Sequence, residues 1–200
     1  MNWNRVTVVT KPSVLPVTLD QVKDRLRIDT DADDALLIGL IKGAIARIDG
    51  PAGIGYALME QTWRLSLDEF PGNYNGTIVL PGAPVKSVTS VNYVDSAGAN
   101  QTVATADWRL DIRTEPVRLE PEYGTAWPGT RDINGAVWVD YVLGEANAED
   151  VPDDLTDAIC LLVGHRYENR EVGVTGTIFT KLPLGAEWIM QEYRRNVVTA

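Results

Sequence analysis

The chain has 200 residues, 44% of them hydrophobic and 23% charged, with six tryptophans, seven tyrosines and one cysteine. That is the composition of a folded protein, either one ordinary domain or two small ones sharing a core, and it excludes an intrinsically disordered chain. The formal net charge of −10, from 28 acids against 18 bases with no Lys/Arg-rich block, excludes sequence-specific grip on duplex DNA, which needs cations to displace counterions from phosphates.

The opening residues, "MNWNRVTVVTKPSVLP", lack the basic flank, continuous apolar run and cleavage site of a secretory signal. The first helix is "TLDQVKDRLRI" (18–28): Thr18 and Gln21 form a capping-box pattern, and Leu19, Val22 and Leu26 fall on one helical face. After "DTDADD" a second helix carries Leu37, Ile41, Ile45 and Ile48, widened by Leu36 and Leu40, and ends at Gly50-Pro51. Its apolar stretch is too short for a membrane span and is interrupted by Lys42 and Arg47, so no membrane partner is expected.

From about Gln61 the hydrophobic period becomes two: Trp63, Leu65 and Leu67 alternate with Thr62, Arg64 and Ser66. Further strands are predicted at 77–80, 88–94, 107–112, 117–121 and 136–142, separated by turn compositions such as "LPGAP" and "DSAGAN". Helical spacing returns with Leu155, Ile159, Leu162 and Val163, from Pro152 or Asp153 to about Asn169. A Gly/Thr loop follows, then the amphipathic "LGAEWIMQEYRRNV". The predicted fold class is therefore α+β: a helical bundle of two N-terminal and two C-terminal helices with a small antiparallel β domain inserted. Residues 1–60 form the N-terminal helical part, 61–144 the β domain and 145–200 the part completing the bundle.

Enzymatic chemistry finds no support. Cys160 and His165 would be the obvious nucleophile and base, but five helical residues rotate their side chains about 140° apart. The lone thiol cannot close an intrachain disulfide, which favours synthesis in a reducing compartment. Asp29, Asp31 and Asp33 match the first ligands of a calcium loop, yet Asp34 and Leu40 stand where that loop needs glycine and a bidentate glutamate. Acids at this position read as helix N-caps and dipole partners. Gly39 and Gly43 form a G-x-x-x-G that suits close helix approach. No catalytic residue, cofactor site or metal site is assigned.

"APVKSVTSVNYVD", then "YGTAWPGTRD" and then "LLVGHRYENRE", preceded by "VTLDQVKDRLRID" and the "QTW" strand start, resemble in that order the head-tail connector, or adaptor, proteins of long-tailed bacteriophages and gene transfer agents. The resemblance covers about Pro16 to Arg195. It implies a structural protein of the virion neck, made in the bacterial cytoplasm. Such adaptors form rings of about twelve copies beneath the portal protein, join it to the stopper or tail, and let double-stranded DNA pass without sequence-specific contact.

Site residues follow as expectations. Trp188, Ile189, Tyr193, Arg194 and Arg195 on the terminal helix are expected to dock on the portal. Arg166, Glu168, Arg170 and Glu171 are expected at the subunit interface. The run from Glu145 to Asp157 holds six carboxylates and no base; it reads as a solvated helix start whose acids complement the dipole, the alternative being that Glu145, Glu149 and Asp150 face DNA in the channel and repel its phosphates. The alternative reading is a carbohydrate-binding or hydrolytic module on the β domain, with Trp63, Trp108, Trp127 and Trp138 as an aromatic platform, although alternation places Trp63 with Leu65 and Leu67 on a core face.

Overall fold

The computed structural model describes residues 5–72, 75–169 and 183–195; the expected Gly/Thr loop and the interface residues Arg170 and Glu171 lie outside them. The architecture is α+β, and the described residues fall in two compact units: 5–12, 60–72, 75–144 and 195 in one, 13–59, 145–169 and 183–194 in the other.

The first unit holds the strands β1 (Val6–Thr10), β2 (Gln61–Leu67), β3 (Ile78–Leu80), β4 (Val85–Val94), β5 (Asn100–Thr102), β6 (Trp108–Asp111), β7 (Val117–Pro121) and β8 (Val137–Leu143). They make an antiparallel five-stranded sheet in the order β1-β2-β8-β4-β5 and a three-stranded sheet in the order β3-β7-β6. The period of two sets which side chains go inward. Trp63 and Leu65 on β2 face Tyr141 and Val139 on β8 across the ladder, and all four are completely buried. The Trp63 and Tyr141 rings meet edge to face, centroids 6.3 Å apart. Their polar atoms are satisfied: Trp63 Nε1 donates to Gln61 Oε1 at 2.8 Å, and Tyr141 Oη donates to the Pro81 carbonyl at 2.8 Å. Burial raises the Tyr141 pKa above its ordinary value.

Residues 1–60 are not wholly helical. Val6–Thr10 add to β2 as an edge strand, with Val6 opposite Leu65 and Val8 opposite Trp63, so the N-terminal segment belongs to the β unit.

The second unit contains α1 (Leu19–Leu26), α2 (Asp34–Ile48), α3 (Asp153–Glu168) and α4 (Leu184–Glu192). The capping box starts α1: Thr18 Oγ1 accepts from the Gln21 amide at 3.2 Å and Gln21 Oε1 accepts from the Thr18 amide at 2.8 Å. Thr18→Ala is expected to lower the stability of this unit by about 1 kcal/mol, read by thermal denaturation, because an orphan N–H loses its partner. Arg27, at φ 57°, ends the helix in the left-handed region. The core is built from Leu37, Ile41, Ala44 and Ile48 of α2 and from Leu155, Ala158, Ile159, Leu162 and Val163 of α3, and α2 and α4 both pack against α3. Among the described residues, no helix is long and apolar enough to cross a membrane.

Candidate functional site

Three of the four carboxylates of "DTDADD" find partners within the helical unit. Lys23 Nζ reaches Asp31 at 2.6 Å and Asp34 at 2.9 Å. The Lys23 ammonium holds Asp31 below the usual carboxylate range, chiefly through that hydrogen bond. Asp33 stands at the N-cap position of α2 but makes no side-chain cap bond; its Oδ2 accepts from Tyr167 Oη at 2.6 Å instead. The N-cap reading of Asp33 is therefore corrected: the residue ties the start of α2 to the end of α3.

That end of α3 is where "HRYENRE" begins. Asn169 Nδ2 donates to the His165 carbonyl at 2.8 Å and closes the helix. Cys160 is half-buried, and burial pushes its thiol pKa up, away from nucleophilic use. Arg166 is exposed yet lies across α2: a Cβ added at Gly43 would come within 2.7 Å of its Nη1. Gly43 thus makes room for an arginine, whereas a Cβ at Gly39 would meet nothing within 4 Å. Glu168 is exposed.

The three residues expected to face DNA make separate contacts. The Glu145 amide donates to the Leu58 carbonyl at the junction leading to α3, and Asp150 Oδ2 accepts from Asn147 at 2.9 Å. Glu149 lines a cleft of about 600 Å³ between α1 and α3, together with Pro16, Val17, Asp153 and Asp154.

On α4, Ala186 and Met190 are buried, four residues apart on one face, and Trp188 on the opposite face is 81% exposed. Ile189 is half-buried and Arg194 exposed. Tyr193 packs edge to face on Tyr56, centroids 5.7 Å apart, and Arg195 forms an ion pair with Glu115. Of the five expected docking residues, Trp188 is thus the aromatic left in solvent.

In the β unit, Trp63 is core. Trp127 stacks on Phe70 at 4.8 Å and donates from Nε1 to the Gly76 carbonyl at 2.5 Å, lining an open cleft of about 670 Å³ with Arg109, Glu120 and Tyr123. Trp138 is half-buried, with the Arg64 guanidinium over its ring at 5.9 Å and Arg64 held by both Asp140 oxygens at 2.6 and 2.7 Å. Each of these three rings thus has its own set of partners.

These elements recur in known proteins. A family model for the phage gp6-like head-tail connector protein matches residues 16–91. A chain in the virion of a native gene transfer agent particle is 30% identical, with 97% of each chain covered and a TM-score of 0.75. The chain belongs to the head-tail connector family. This connector is also similar to a chain in the neck of an empty gene transfer agent particle computed with C6 symmetry, at 29% identity and a TM-score of 0.72. It is similar as well to one in the neck of a native particle computed with C12 symmetry, at 28% and 0.66. Both pairs are covered to 97%. Among curated proteins no sequence matches significantly. The connector's role is structural, at the neck of a phage-like particle, and its family is not an enzyme class.

Proposed function

We propose that this connector assembles as a closed ring of about twelve copies beneath the portal protein, joining the head to the stopper or tail and leaving a passage for double-stranded DNA. The observation that carries the reading is its likeness, over 97% of both chains, to a component of a neck with C12 symmetry. The likeness to a neck computed with C6 symmetry agrees with it, because sixfold rotation is contained within twelvefold rotation. The acid surplus of 28 to 18 suits a conduit whose wall does not retain phosphates.

Docking to the portal is assigned to the outer face of α4. Ala186 and Met190 seat the helix on its own unit, leaving Trp188 to enter a groove on the portal with Ile189 beside it and Arg194 meeting acidic groups there. The test is co-expression with the portal protein of the same particle, followed by mass measurement and imaging of the purified complex. A ring of about twelve connectors on the portal is expected; a monomer that does not bind portal would overturn the proposal.

A further inference from the structure

Besides Trp188, the described residues of the helical unit leave four large apolar side chains in solvent: Val14, Leu15, Leu36 and Ile38, 56, 42, 39 and 40% exposed. They fall into two groups whose surroundings differ in their excess charge. Leu36 and Ile38 flank the outward face of α2, where Gly39 offers open space, Lys42 is exposed and Arg166 lies against Gly43. Neither Lys42 nor Arg166 has an ion-pair partner among the described residues. Val14 and Leu15 run directly into Pro16 and Val17 on the wall of the α1–α3 cleft. Arg25 and Asp157 in its lining pair with each other, which leaves the acids in excess: Glu149, Asp153 and Asp154 have no cationic partners among the described residues.

The two faces point away from each other. Helices α2 and α3 pack together through their buried rows. At about 100° per residue, Lys42 projects roughly 140° from Leu37 and Asp153 roughly 160° from Leu155. One copy cannot bring its own faces together, but its neighbour can. A closed ring requires such a pair, because each copy uses two different patches that fit one another.

We infer that the ring contact is heterologous: the apolar, basic face of α2 in one copy seats on the apolar, acidic α1–α3 cleft of the next. The inference rests on the ring reading above and names its partner surfaces. Burial of Leu36, Ile38, Val14 and Leu15 supplies the attraction, and the opposed charges fix the register and exclude like-faced pairing. Glu149 then belongs to a subunit contact and not to the channel wall.

Zero-length cross-linking of the assembled connector–portal complex tests this without altering the chain. A carbodiimide activates a carboxylate, the Lys42 amine attacks the carbonyl carbon to form an amide, and the urea departs. Mass spectrometry of a complex assembled from mixed ¹⁴N and ¹⁵N chains is expected to find Lys42 joined to Glu149, Asp153 or Asp154 in mixed-isotope peptides, and the link to be absent from the unassembled chain. Lys42 joined only to other carboxylates, or to none, overturns the contact. Imaging the same sample separates the two levels: a ring without the link rejects this contact alone, whereas a single copy per particle rejects the ring as well. Independently, Ile38→Asp is expected to cut incorporation into the complex at least tenfold with an unchanged melting temperature; full incorporation would overturn the assignment.

Discussion

Trp63→Ala is expected to lower the stability of the β unit by about 3–5 kcal/mol, the range for deleting a large aromatic from a packed core. Trp63 has no exposed surface and meets the Tyr141 ring across the β2–β8 ladder. Gly82, at φ 89°, brings its backbone against the Trp63 ring so closely that a Cβ there would collide with it. Backbone fixed in a left-handed turn cannot move into the space the indole leaves, and the cavity therefore remains open. The substitution also removes the Nε1 donor to Gln61 in a buried setting. Since small domains are stable by about 5–15 kcal/mol in all, this is a large fraction of the total. Denaturant unfolding followed by circular dichroism measures it. A loss below about 1 kcal/mol, the scale of a surface change, would mean that the indole is not packed as described.

The same residue marks how far the sequence could be read. Alternation over β2 and β8 is long enough to declare an inward face, and the Thr18–Gln21 spacing declares a helix start, because both signals are local. Val6–Thr10 carry too short a pattern, and the strand that completes them begins at Gln61. Asn100–Thr102 are polar and exposed throughout, so β5 exists through its pairing with β4 and has no hydrophobic period. Leu36 widens the apolar stripe of α2 on a helical wheel, but nothing in the wheel states that this flank lies in solvent. Long-range choices were equally hidden: Asp33 selects the Tyr167 hydroxyl over its own helix N–H groups, and Gly43 accommodates Arg166, more than a hundred residues away. The family was legible from the order of its segments; the surfaces proposed for it required the burial pattern.

Trp188→Ala is expected to weaken portal association by about 2 kcal/mol per engaged subunit, roughly thirtyfold, while leaving the melting temperature unchanged. The separation of effects follows from position on α4. Trp188 stands two residues from both Ala186 and Met190, which turn inward, so it projects from the opposite face and is 81% exposed in the isolated chain. Removing an indole from solvent costs the fold little, but in a groove it would surrender a large, rigid apolar contact. In the proposed ring several subunits engage together, so the per-site losses compound through effective concentration and the assembled complex should dissociate far more than thirtyfold. Truncation after Pro183 is a poorer test, because it also strips Ala186 and Met190 from α3 and is expected to destabilise the helical unit whether or not α4 docks. Trp188→Phe supplies the control: it keeps an aromatic anchor and is expected to retain most of the affinity. Equal portal binding by Trp188→Ala and the wild type, at matched melting temperatures, would remove the outer face of α4 from the docking surface.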